Sequence, residues 1–110
     1  MLRSREDFAH LGERGRTRTD RLLVVHYAAN TLQHDRFGIA TGRRLGGAVT
    51  RNRVRRRIRE ILRATPGVEG RGWDVLVVAR PASASASFEE LRNALLRLLA
   101  AARSPVTAPA

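Results

Sequence analysis

Nine arginines fall between Gly42 and Arg63, in the run GRRLGGAVTRNRVRRRIREILR, with Glu60 the single acid among them. A planar guanidinium grips a phosphate through two parallel hydrogen bonds and stacks on a base, so this run suits a polyanion. The charge is also gathered rather than spread. Residues 1–35 carry six Arg against five acids and residues 64–110 five against four, whereas residues 36–63 carry ten Arg against one acid. Thus +9 of the formal +11 sits in one quarter of the chain, the asymmetry expected of a nucleic-acid binder. The chain has no lysine. That bias accounts for the choice of arginine over lysine but not for its concentration in one place.

Catalysis by protein groups has thin support. The ten acids are scattered, and no pair on one element is spaced for two-metal chemistry. His10, His26 and His34 lack metal-ligand spacing and an evident acid–base partner, and read as surface or strand residues. There is no cysteine for a disulfide or a thiolate metal site. No catalytic residue and no protein metal ligand is therefore assigned. The apolar runs VLVV and LLRLLAAA are too short to span a bilayer, and MLRSREDF has no apolar segment of a secretory signal. A cytoplasmic protein without membrane association is expected.

The elements that must position these arginines form an α+β pattern. Over residues 48–63, Val54, Ile58, Ile61 and Leu62 recur at helical spacing and make one apolar stripe. Asn52, Arg55, Arg56, Arg59 and Arg63 fall on the opposite face, with Arg51 and Arg57 at the margins of the stripe. A self-repelling arginine face lacks the i, i+4 pairing of a merely solvated one, and a phosphate partner would relieve it. Gly46 and Gly47 precede the helix, as a plain turn or as a place where backbone N–H groups approach a phosphate. Upstream, Ser4 and Asp7 suggest the cap of a short helix with Phe8 and Leu11 on its apolar edge. GERGRTRTD reads as a loop, and RLLVVHYAAN and RFGIATG as strands of an antiparallel hairpin joined by TLQHD. WDVLVVAR is an apolar strand suited to the inside of a sheet. After the small-residue loop PASASA, Ser87 and Glu90 form a capping box, and Phe88, Leu91, Leu95, Leu98, Leu99 and Ala102 mark one face of a last helix. A single domain over 1–103 with a frayed tail at 104–110 is expected.

The stretch RFGIATGRRLGGAVTRNRVRRRIRE resembles the signature of the protein subunit of bacterial ribonuclease P: a strand, a basic pair, Gly, Ala-Val, then Arg-Asn-Arg and a basic helix. SREDF, WDVLVVAR and SFEEL match that family in order and spacing, so the resemblance covers about residues 2 to 102. It implies a small two-layer α+β sandwich, with a mixed sheet, an N-terminal helix, a central basic crossover helix and a C-terminal helix. It also implies a left-handed crossover, against the general preference for right-handed ones. The implied role is to bind the catalytic RNA subunit and the 5′ leader of precursor tRNA, assisting endonucleolytic removal of the leader. The active site and most Mg²⁺ ligands then belong to the RNA.

By matching position, Arg43, Arg44, Arg51, Asn52 and Arg53 are implied RNA contacts, joined by Arg56 from the same helix face. Arg55 and Arg59 fall where the family meets the single-stranded leader, in a cleft between helix and sheet. Phe8 matches a leader-side aromatic, where a base stacks, although a short amphipathic helix equally needs it as an anchor. Two departures weaken aromatic grip: Gly12 stands where a second aromatic is common, and His26 where some members carry a strand tyrosine, with Tyr27 on the other face. A structural ribosomal protein would share charge and fold, and is separated by whether the chain stimulates leader removal. A DNA-binding regulator would prefer duplex DNA to structured RNA, and no recognition-helix pair is visible.

Overall fold

A computed structural model describes residues 15–29, 35–64 and 72–103, with side chains to residue 101. Four strands, β1 (Arg16–Thr19), β2 (Leu23–Ala29), β3 (Arg36–Thr41) and β4 (Trp73–Ala79), form one sheet in the order β1-β2-β4-β3. Helix α1 (Ala48–Ala64) connects β3 to β4, and helix α2 (Phe88–Arg103) closes the described chain. The expected N-terminal helix, with Ser4, Asp7 and Phe8, lies outside the described residues, as do His10, His34 and the tail.

Strand β4 lies inside the sheet, as its apolar run VLVVA requires, and it pairs antiparallel with β2 and parallel with β3. Two expectations are corrected here. β2 and β3 are not a hairpin, because β4 lies between them and satisfies the inner edges of both. The antiparallel partner of β2 on its other side is β1, RTRT, within the stretch read as a loop. Its four residues are all exposed, so no apolar alternation marked it. Its turn into β2 is built by Asp20, whose Oδ1 accepts the N–H groups of Leu22 and Leu23 at 2.8 and 2.9 Å.

Strand alternation gives the sheet two faces. Leu23, Val25, Tyr27, Val75 and Val77 are buried with Val54, Ile58 and Ile61 of α1 and with Leu91, Leu95, Leu98 and Leu99 of α2, in one core. Tyr27 meets Trp73 edge-on at 5.9 Å across β2 and β4. Phe37, Ile39 and Leu62 are half-buried at the margin of this core. Phe88, expected on the apolar face of the last helix, is 36% exposed, because it opens the first turn before the helix has reached the sheet. The segment Pro81–Ser85, read as a loop, is a short 3-10 turn. The buried Ser83 hydroxyl donates to the Leu22 carbonyl at 2.6 Å and ties that turn to the start of β2.

The capping box at α2 forms as expected. The Ser87 N–H donates to Glu90 Oε1 at 2.9 Å and the Glu90 N–H to Ser87 Oγ at 3.1 Å. The Ser87 backbone N–H, then its hydroxyl, and more weakly Arg21, hold the Glu90 carboxyl below the usual glutamate range. Folding lowers this pKa, so the stabilisation is present above the ordinary value of 4.5 and is lost as pH falls through the folded value. Glu90→Gln keeps a hydrogen-bonding side chain but cannot titrate. Urea midpoints recorded from neutral to acid pH should fall less steeply for this variant on the acid side, and parallel profiles would show that Glu90 contributes nothing there.

Candidate nucleic-acid interface

Helix α1 carries seven arginines, of which none is in its buried stripe of Val54, Ile58 and Ile61. The stripe docks the helix on the sheet, and the geometry of a 3.6-residue turn then forces Asn52, Arg56, Arg59 and Arg63 outwards, where all four are exposed. Arg55 leans toward the sheet. Its Nη1 donates to Asn52 Oδ1 at 3.3 Å and its Nη2 to Thr41 Oγ1 at 2.5 Å, so the guanidinium is braced between the helix and the end of β3. No described carboxylate pairs with any arginine of α1; the described ion pairs are Arg21 with Glu90, Arg36 with Asp74 and Arg97 with Asp20. The charge of the cluster is therefore not neutralised by any described carboxylate.

The entrance to α1 adds to this surface. Arg43 and Arg44 are exposed in a 3-10 turn, Arg43–Leu45, anchored by the buried Leu45. Gly46 follows with φ of 128°, a left-handed conformation that side chains rarely adopt, which is why glycine stands there. The Gly47 carbonyl accepts the Arg51 N–H at 3.0 Å and so begins the helix. Glycine in that position offers no side-chain acceptor, and the first turn holds no acid. The positive end of the helix thus meets Arg43, Arg44 and Arg51 with no negative charge to offset it.

Not every arginine of the basic stretch points at solvent. Arg53 Nη2 donates to the Ala84 carbonyl at 3.0 Å and Arg57 Nη1 to the Ala86 carbonyl at 3.1 Å, clamping α1 to the segment before α2. Arg36 forks onto Asp74, with Nε to Oδ1 at 2.9 Å and Nη2 to Oδ2 at 2.7 Å. Asp74 is fully buried. Sequence reading missed this pair, because Asp74 sits in a strand read as apolar and Arg36 was counted among the free charges. The signal available was the lone acid inside WDVLVVA, which must find a cation to be buried.

Arg43, Arg44, Arg51, Asn52, Arg53, Arg55, Arg56 and Arg59 all lie on α1 or on the turn that enters it, with Arg55 held toward β3 and Arg53 on the opposite flank, toward Ala84. His26 is not among them. It lies on the sheet face away from the helices, opposite Thr17 and Leu76 in the strand register, and its Nδ1 shares a 2.9 Å hydrogen bond with Thr17 Oγ1. Tyr27 points to the core face, as strand alternation requires. Phe8 lies outside the described residues. Among the described residues no group of three or more His, Cys, Asp or Glu comes together, and no helix is long and apolar enough to cross a membrane.

An arginine-rich helix on a mixed four-stranded sheet has counterparts among known proteins. The family model for ribonuclease P matches residues 1–103. The chain belongs to the ribonuclease P protein family. The ribonuclease P protein component of Alkaliphilus metalliredigens is 30% identical over 98 residues, covering 89% of this chain and 88% of that protein. That of Roseiflexus castenholzii is 39% identical over 99 residues, covering 89% and 81%. The structure of the Staphylococcus aureus RNase P protein superimposes with a TM-score of 0.80 at 27% identity, covering 93% of this chain and 94% of that one. The α+β class with a mixed sheet, expected from the resemblance, is thus the family's fold. Ribonuclease P activity belongs to a ribonucleoprotein, so the partner of a family member is an RNA subunit.

Proposed function

We propose that this chain binds the catalytic RNA subunit and the 5′ leader of precursor tRNA in the cytoplasm, and assists the endonucleolytic cut that leaves a mature tRNA 5′ end. The observation that carries this reading is the face of α1, whose arginines have no described carboxylate partner while its apolar stripe is consumed by the core. Arg43, Arg44, Arg51, Asn52, Arg53 and Arg56 serve the RNA subunit, and Arg55 and Arg59, nearer β3, serve the leader. Phe8 and His26 complete the leader contact. In the strand register, His26, Leu76 and Gly38 form one row across β2, β4 and β3. A single strand lying on that row reaches the β3 edge and turns there toward Arg55 and Arg59.

Mg²⁺, when bound, supplies activation of water for attack on the phosphodiester. The described protein groups fit it poorly: the buried Asp74 carboxylate is already neutralised by Arg36, and the arginine face repels cations. The ion is accordingly assigned mainly to the RNA subunit. Phosphate neutralisation by the protein then replaces part of the screening that Mg²⁺ otherwise provides. The experiment is leader removal from precursor tRNA by the catalytic RNA at low Mg²⁺, with and without the protein. Stimulation is expected, and equal rates would remove the reading.

A further inference from the structure

The basic stretch contains an apolar step at the head of α1, Ala48 and Val49, that neither the core nor the charge pattern has used. Val49 is 80% exposed, more than twice the exposure of Phe88 at 36% or Leu96 at 38%, the other large apolar side chains at the described surface. It therefore gives nothing to the core. A β-branched residue also favours a helix less than most, and Val49 has no polar atom to cap the first N–H groups. A lone exposed valine is ordinary on a neutral surface. This one stands among cations. Val49, Asn52 and Arg56, at i, i+3 and i+7, share one exposed stripe, and the exposed turn bearing Arg43 and Arg44 comes just before it.

Gly47, two residues earlier, has no explanation in the fold either. Its φ is not in the left-handed region, unlike that of Gly46, and a Cβ at this position would meet no atom within 4 Å. The protein thus has room for a side chain there, and serine would supply a helix cap that glycine cannot. What bare backbone offers is close approach from outside. Gly47, Ala48 and Val49, all exposed, make a low uncharged step with arginines before and after it in the chain.

We infer that Gly47 and Val49 form a non-ionic contact for the RNA subunit, in which the sugar or base face of one nucleotide packs on the valine side chain and over the bare glycine backbone. The inference rests on the RNA-subunit role proposed above and adds to it a part of the binding surface that is not charge. Structured RNA supplies the counterpart, because its riboses and base faces lie between phosphates that the neighbouring arginines can hold. Charge selects this occupant. A second copy would bring its own Arg43, Arg44 and Arg56 against these, and none of the described ion pairs reaches this end of α1 to relieve the repulsion. An uncharged apolar peptide would cover Val49 but leave the arginines without counter-charge. The leader is not the occupant, since about 15 Å of helix separates Val49 from Arg59.

The test measures binding of the fluorescently labelled full chain to the catalytic RNA subunit across a salt series, with thermal unfolding of each variant alongside. Val49→Thr keeps the shape and exchanges one methyl for a hydroxyl. It is expected to weaken binding about fivefold, with Tm unchanged; Val49→Ile, which restores the apolar branch, should recover affinity. The log–log salt slope should stay as it is in Val49→Thr, because no phosphate contact is lost, whereas Arg43→Gln with Arg44→Gln should flatten it. Gly47→Ser supplies a cap, so Tm should hold or rise while affinity falls on the order of tenfold, because a side chain blocks close approach. Unaltered affinity in either Val49→Thr or Gly47→Ser overturns the inference. So does a changed salt slope in Val49→Thr, which would make the effect ionic, or Val49-dependent self-association with RNA binding intact, which would give the step to a second copy. An unaltered protein that does not bind the RNA subunit removes the proposed role and this contact together, whereas binding that ignores both variants removes the contact alone.

Discussion

Arg36→Ala is expected to destabilise the protein by about 3–5 kcal/mol, the range for removing one partner of a buried ion pair. The carboxylate of Asp74 is 0% exposed while the Arg36 side chain is 25% exposed, so the two members of the pair are not equivalent. Taking away Arg36 strips a two-point hydrogen-bonded counter-charge from a group with no access to water. Taking away Asp74 leaves a guanidinium that can turn to solvent, so Asp74→Ala should cost less than Arg36→Ala. For a domain whose whole stability is about 5–15 kcal/mol, the first change is severe, and a shift of roughly 4–8 °C per kcal/mol puts the loss in Tm at about 15 °C or more. Replacing both residues together by apolar ones of similar volume should recover much of it, since the desolvation cost disappears with the pair. Urea unfolding followed by circular dichroism measures all three, and an Arg36→Ala midpoint equal to that of the unaltered protein would show that the ion pair contributes nothing net.

Binding of single-stranded RNA should show a log–log salt slope near −3.5 if about five phosphates are neutralised, which means affinity falls roughly 100-fold between about 50 and 200 mM salt. With Arg55 and Arg59 both changed to Gln, the slope should flatten to about −2.1 and the same change in salt should cost only about 20-fold. Arg59 is exposed on α1, whereas Arg55 is braced by Asn52 and Thr41. A braced guanidinium loses less side-chain freedom on binding, so Arg55→Gln alone should weaken binding more than Arg59→Gln alone. Fluorescence anisotropy across a salt series reads both slope and affinity. An unchanged slope in the double variant would place the two residues away from the phosphates.

Much of this site could be read directly from residue order. The spacing of Val54, Ile58 and Ile61 located the buried side of α1, and the same period placed Asn52, Arg56, Arg59 and Arg63 outside. The Ser87–Glu90 box was legible because capping is local, needing only residues three apart. Tyr27 and His26 went to opposite faces because neighbours on a strand must. The failures share one cause, which is that pairing between strands is not local. RTRT has no apolar alternation, and it becomes β1 only because β2 offers it an edge. β2 and β3 are close in sequence and read as a hairpin, yet the more apolar β4 takes the place between them.

The concentration of positive charge, the amphipathic period of α1 and the long family signature were thus properties of the sequence by itself, because each depends on residue type and short-range spacing. Tertiary structure alone decided which charges remain available. Ten arginines in residues 36–63 look alike in the sequence, but Arg36 is spent on Asp74, 38 residues away, whereas Arg53 and Arg57 keep their charge while each anchors one nitrogen on the carbonyl of Ala84 or Ala86. It also decided that His26 and the arginine face lie on different sides of the sheet, and that Phe37 meets Arg59 and Arg63 at its edge. The physical reason is that a buried charge or carbonyl must find its partner wherever the packed chain brings one, and distance along the sequence does not limit that choice.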